Sequence, residues 1–241
     1  MKYYRPLKPI KAISFDLDDT LYDNHPVIKQ AESAFMAYLN NRFPELAELT
    51  SKQWLLYKNL ELKNYPALKG DVSRARQQTI TRIMTIHGIP EYKAIEYGKQ
   101  ALAEFLIMRS DFTVPDSSMQ LLKKLRQYYP VIAITNGNVD EVKIQLDDKF
   151  EFVLKAGNGL NAKPAGDLFI EAARRLNIEV SDILHVGDHL ITDVYGAQNS
   201  GAQAVWFNPD KKALTAASLL PTVEINRLDN LYKLLQLPTT E

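Results

Sequence analysis

The chain has 241 residues, 46% of them apolar, enough to bury a sizeable core as one large domain or two smaller ones. Its 29 basic and 29 acidic side chains give a formal net charge of zero, so the basic excess of a protein that grips nucleic acid is missing, and nucleic acid is not an expected partner. The chain has no cysteine, which excludes disulfides, thiolate metal sites and thiol nucleophiles and fits a reducing cytoplasm.

No run approaches the roughly 20 apolar residues of a membrane helix. The opening MKYYRPLKPIKAISF lacks the sustained apolar segment and small-residue cleavage site of a signal peptide. The expectation is a cytoplasmic globular protein with no membrane partner.

In chain order, the first apolar run is Ile10 to Phe15, short, β-branched and ended by carboxylates, which predicts a buried strand. Residues from about Pro26 to Arg109 read as helical. Pro26 suits a first turn, and Val27, Ile28, Ala31, Ala34, Phe35, Tyr38 and Leu39 recur at helical spacing. Trp54, Leu55, Tyr57, Leu60 and Leu62 mark a second helix. A third, capped by Asp71 or Ser73, carries Ile80, Ile83, Met84 and Ile86 and ends near Gly88, and Tyr92 to Met108 form a fourth.

Beyond Pro115 the pattern alternates. Helices are predicted over 117–128, 168–176 and 193–199, and strands over 131–135, 152–156, 183–186 and 204–207. The tail from Pro221 adds a helix over 228–235 and a frayed end. Such alternation predicts an α/β fold, a Rossmann-like parallel sheet with helices on both faces. Residues 1–21 and 115–241 form this core, and 22–114 a helical domain inserted after the first strand.

Open parallel sheets bind ligands beyond the carboxyl ends of their strands. Asp16-Leu17-Asp18-Asp19-Thr20, Thr135-Asn136-Gly137 and Gly187-Asp188 sit at three such ends, with Asp193 shortly after and Lys163-Pro164 in a loop. Several carboxylates at one point repel unless a cation neutralises them, and hard oxygen ligands with retained waters suit magnesium. An aspartate can attack a phosphoryl group and form an aspartyl phosphate. Lys163 adds a second positive charge, and the Thr135 hydroxyl with nearby amides can hold phosphate oxygens. Asp18 then has a different role. It protonates the leaving alkoxide and later deprotonates water, as two acids of different roles in one site can do.

These clusters resemble the haloacid dehalogenase-like hydrolase superfamily: Asp-x-Asp-x-Thr as Asp16, Asp18 and Thr20; a Thr after a strand as Thr135; a Lys as Lys163; and an acidic pair after Gly as Asp188 and Asp193. The resemblance covers nearly the whole chain, and it is the order of the four motifs, not any one of them, that is specific. It implies a helical cap over 22–114 and a nucleophile at Asp16, which is also a magnesium ligand. It makes Asp18 the general acid and base, with its backbone carbonyl on the metal. Asp188 completes the metal ligands, with Asp193 supporting them, and Thr135, Asn136 and Lys163 bind the phosphoryl group. FDLDDTLYDNHPVI and ILHVGDHLITDVYGAQNSGAQAVW resemble a bacterial branch that includes flavin-pathway phosphatases. That implies a small phosphorylated metabolite such as 5-amino-6-(5-phospho-D-ribitylamino)uracil or FMN. Two departures, Ala165 in place of a second proline and His189 in place of a small polar residue, remove no group that the chemistry needs.

Taken singly, each cluster has a plainer reading: an Asp-rich loop is a turn or cap, a lysine a surface charge, and Asp193 a first-turn acid. Asp19 reads as solvated or capping, His25 as a surface or hinge residue, His87 as a helix end, and His185 as a satisfied core histidine. In the insert, Trp54, Tyr57, Lys69, Arg74 and Arg76 are candidates to shape a substrate pocket, against the favoured plainer reading of the aromatics as core and the charges as a solvated face. The rival functions are a phosphomutase of the same superfamily and a non-catalytic binding protein. The second would be expected to lose one of Asp16, Asp18, Lys163 or Asp188, and all four are present.

Overall fold

The computed structural model describes residues 1–214 and 220–238. Strand β1 is Lys2–Tyr3 and β2 is Ala12–Phe15, after which four helices follow: α1 (Asn24–Arg42), α2 (Ser51–Asn64), α3 (Val72–Ile86) and α4 (Glu91–Arg109). Next come α5 (Asp116–Leu125), β3 (Val131–Thr135), β4 (Val153–Lys155), α6 (Asp167–Leu176) and β5 (Ile183–Gly187). A π-helical turn (Leu190–Tyr195) leads into α7 (Gly196–Asn199), β6 (Gln203–Phe207), β7 (Val223–Ile225) and α8 (Asn230–Leu234). Residues 239–241, the far end of the expected frayed tail, lie outside the described residues.

The strands form one sheet in the order β1-β7-β6-β5-β2-β3-β4. Every neighbouring pair is parallel except β1 with β7. The parallel strands need crossovers; helices supply those from β2 to β3, β4 to β5 and β5 to β6, while 136–152 joins β3 to β4 through turns. β2 lies centrally, with Phe15 opposite Ala133 on one side and Val186 on the other. β2, β3 and β5 are buried along their whole length, which explains their unbroken apolar runs. One side of the sheet packs Ile132, Ile134 and Leu154 against Leu168, Phe169 and Ala172 of α6.

The chain divides into two compact units, one of residues 1–23, 114–135 and 145–241, the other of 24–113 and 136–144. The helical unit takes in 136–144, a segment that nothing in the sequence separates from the core. It is tied there by the Asn138 amide donating to Ser73 Oγ (3.0 Å) and the Asp140 N–H donating to Ser110 Oγ (2.9 Å). Its own core gathers Phe35, Trp54, Ile80, Ile83, Met84 and Phe105. The Phe35 ring meets Trp54 edge-on at 5.7 Å and Phe105 at 5.3 Å. Of the two caps considered for α3 it is Asp71 that accepts from the Arg74 N–H, at 2.9 Å.

Several expectations change. β1 and β7 were not foreseen: two and three residues are too short to show a period. The helix expected over 193–199 is instead a π-helical turn and one short α-helical turn. Arg76 is not on a solvated face but 6% exposed. It pairs bidentately with Glu32, and its guanidinium stands 3.4 Å from the centroid of Phe105. Leu55 and Leu60 belong to α2 as expected, yet they face solvent. Among the described residues no helix is long and apolar enough to cross a membrane.

Candidate active site

The site grows from the carboxyl ends of β2, β3 and β5. Asp16 follows β2 directly and is 9% exposed. Its backbone N–H donates to the Val186 carbonyl at 2.9 Å, which fixes the turn out of the strand. Lys163, 3% exposed, reaches in from the loop before α6. Its ammonium donates to Asp16 Oδ1 at 2.9 Å, to Asp193 Oδ1 at 2.6 Å and to the Ile134 carbonyl of β3 at 2.7 Å. One cation thus ties three separate strand ends together.

Asp193 enters through the π-helical turn, where both the Asp193 and the Val194 N–H donate to the His189 carbonyl. The wider loop is held because His189 Nδ1 accepts from the Ile191 and Thr192 N–H groups at 3.2 Å. Such turns often mark functional sites. The Asp193 carboxylate folds back over Gly187, where a β-carbon would sit 2.3 Å from its Cγ. Only glycine leaves that room. Asp193 Oδ2 accepts from the His189 N–H at 2.9 Å, and Oδ1 meets His185 Nε2 at 3.3 Å as well as Lys163. On the far side of its ring, His185 Nδ1 pairs with Ser14 Oγ at 2.8 Å. His185 is a satisfied core histidine as expected, but what satisfies it is the site itself.

The charge balance is uneven. Lys163 favours the ionised form of Asp193, holding that carboxyl well below the usual range against the cost of its burial. Burial pushes Asp16 up to about 7; Lys163 opposes this, while Asp193 and Asp18 add to it. Burial, followed by the charges of Asp193 and Asp19, raises Asp188 to about 6. The site is short of positive charge.

Carboxylate oxygens of Asp16, Asp188 and Asp193 lie within 4.8 Å of one another. Both Asp193 oxygens already accept hydrogen bonds, which leaves Asp16 and Asp188 as the fitting donors, with Asp193 behind them. A pair of carboxylates suits magnesium, which keeps several waters and takes substrate phosphate as a further ligand. Asp188 is steadied by the Trp206 indole N–H donating to its carbonyl at 2.8 Å.

Asp18 sits two residues past Asp16, half-buried, and its Oδ1 accepts from the Tyr22 hydroxyl at 2.7 Å. Thr135 closes β3 and is 1% exposed, while Asn136 begins the next segment and groups with the helical unit. So Asp16, Lys163, Asp188 and Asp193 meet, with Asp18 and Thr135 on the adjoining turns. Three contributors escaped the sequence reading: Ser14, the Ile134 carbonyl and the Tyr22 phenol. None has a spacing that separates it from an ordinary strand or loop residue.

Comparison with known proteins identifies the family. A model of haloacid dehalogenase-like hydrolases matches residues 10–201. Over 238 residues the chain is 39% identical to the 5-amino-6-(5-phospho-D-ribitylamino)uracil phosphatase YigB of Escherichia coli, covering 98% of this chain and 100% of that one. The structure superposes on a 2-haloacid dehalogenase from Pseudomonas syringae with a TM-score of 0.88 and 32% identity, over 94% of this chain and 98% of the other. The fold is shared also with the magnesium-bound HAD-hydrolase YfnB of Bacillus subtilis, at a TM-score of 0.65 and 21% identity, over 95% and 100%. The chain belongs to the haloacid dehalogenase-like hydrolase family.

Proposed function

We propose that this chain, a phosphatase of that family, hydrolyses a small phosphorylated metabolite in the cytoplasm through an aspartyl phosphate on Asp16, with magnesium bound. The flavin-pathway ester 5-amino-6-(5-phospho-D-ribitylamino)uracil is the first candidate substrate, because the relative named for it matches end to end. The observation that carries the reading is the buried Asp16 carboxylate, gripped by Lys163 at 2.9 Å, with a second acid, Asp18, two residues on.

An Asp16 carboxylate oxygen attacks phosphorus, the bond from phosphorus to the ester oxygen breaks, and Asp18 gives its proton to the departing oxygen. Water then attacks the phosphorus of the aspartyl phosphate. The bond to Asp16 breaks, the water proton passes to Asp18, and alcohol and inorganic phosphate are released. Lys163, Thr135 and Asn136 hold the phosphoryl oxygens, and Lys163 is itself held by Asp193. Asp16, Asp188 and the Asp18 carbonyl hold the metal, which supplies the positive charge that offsets repulsion between nucleophile and phosphate. The likeness to a haloacid dehalogenase does not favour carbon–halogen cleavage, a reaction that needs no acid at Asp18.

The test is phosphate release from a panel that includes the ribitylaminouracil phosphate, FMN, sugar phosphates and nucleotides, with and without magnesium. Magnesium-dependent release, lost at least about 10⁴-fold in Asp16→Asn, is expected. Isomerisation of a hexose 1-phosphate without free phosphate would instead identify a mutase. Halide release from a 2-haloacid, or undiminished activity of Asp16→Asn, would overturn the reading.

A further inference from the structure

We infer that Tyr22 is a positioning residue for the acid–base step, acting through Asp18; the inference rests on the role proposed above for Asp18. After Asp16 the chain makes a tight reversal. The Thr20 and Leu21 N–H groups both donate to the Leu17 carbonyl, at 3.3 and 2.9 Å, and Asp19 takes a left-handed conformation with φ of 58°. The reversal lays Tyr22 beside Asp18, and the two residues form a short parallel bridge. The phenol then donates to Asp18 Oδ1 at 2.7 Å.

This position is anchored from below. The buried Ser118 hydroxyl of α5 donates to the Leu21 carbonyl at 2.6 Å, and Tyr22 is only 5% exposed. The ring therefore has little freedom to leave the carboxyl. A hydrogen bond between a locked phenol and one carboxyl oxygen fixes the plane of that carboxyl. It also assigns the transferable proton to the other oxygen, since Oδ1 already accepts. Acid–base transfer depends on such alignment, and a carboxyl on an exposed loop loses it by rotation. The chemistry recognised is the leaving oxygen of a phosphate monoester: Tyr22 touches neither substrate nor phosphorus and acts only by orienting the proton.

Leaving-group dependence tests this. Nitrophenolate departs without a proton, whereas an alkoxide does not, so a defect in proton delivery shows on alkyl phosphates and is masked on p-nitrophenyl phosphate. Tyr22→Phe is expected to lower kcat/KM, which reports phosphoryl transfer to Asp16 and not the later attack of water, about 10-fold on the alkyl monophosphate that the wild type turns over fastest, and about twofold on p-nitrophenyl phosphate. Asp18→Asn, measured alongside, is expected to show the same split with a loss of about 10²–10⁴-fold on the alkyl ester.

An equal loss on both esters in Tyr22→Phe, with the split retained in Asp18→Asn, overturns the role of Tyr22 and leaves Asp18 as the acid. No split in Asp18→Asn overturns the acid itself and the inference with it. If Tyr22→Phe melts at a lower temperature, 3-fluorotyrosine at position 22 keeps ring and hydroxyl and alters only the strength of the donor. A changed ratio of alkyl to aryl rates then supports the inference, and an unchanged one overturns it.

Discussion

Each compact unit buries a cation paired with acid, Lys163 in one and Arg76 in the other, and the two are treated differently. Lys163, in the sheet unit, serves two carboxylates at once and leaves the acids around it short of positive charge. Arg76, in the helical unit, has a single acid, Glu32, and spreads its charge over the faces of Phe105, Trp54 and Phe35. The first arrangement keeps charge available for an incoming ion. The second closes its balance internally and locks packing. An uneven buried charge set is costly to maintain, and it points to chemistry; an even one points to structure.

The largest effect that distinguishes the two comes from deleting the cation of the sheet unit. Lys163→Met leaves Asp16 and Asp193 buried without their shared partner, so a loss of about 3–5 kcal/mol is expected in metal-free urea unfolding. A loss below about 1 kcal/mol would break the contrast. Next in size is the histidine behind Asp193. Burial, aided by the nearby Lys163 charge, lowers His185 to about 4 from its ordinary 6.5.

The neutral form is the native one, so its contribution is complete above pH 6.5 and fades as the pH falls towards 4. Across that window only the unfolded chain takes up the proton, which costs at most about 3 kcal/mol. Wild type is therefore expected to lose more stability between pH 7 and pH 4 than His185→Gln does. The raised acids Asp16 and Asp188 act in the opposite direction in both proteins and cancel in the difference. Parallel declines would show that His185 does not titrate between the states.

Smallest is the coupling of Arg76 to Glu32. The Glu32 side chain is 31% exposed, so water partly replaces its partner. A double-mutant cycle with Arg76→Met and Glu32→Gln is expected to give about 1 kcal/mol. A value as large as the Lys163 effect would place the two cations in one class.

The four motifs were legible because a parallel sheet collects strand ends, so apolar runs that stop at Asp16, Thr135 and Asp188 announce a shared edge. Lys163 was legible only by its place in the order, since nothing local marks a loop lysine as buried. The framework behind them was not. Ser14 and His185 lie inside apolar strands, paired across the β2–β5 register, and register is a property of two strands, not of either one. Arg76 misled for a related reason: helical spacing tells which face turns inward, but not that an inward arginine finds a glutamate 44 residues away and a bed of aromatic rings.

The pairing of β1 with β7 bears on how the molecule is made. Lys2 lies opposite Glu224, and the Tyr4 hydroxyl donates to the Glu224 carboxylate at 2.7 Å, across 220 residues of chain. A ribosome delivers the first partner long before the second, and contacts so distant in sequence form late. The segment Lys2–Tyr4 is thus expected to be among the last to settle, docking as an antiparallel hem on the parallel sheet.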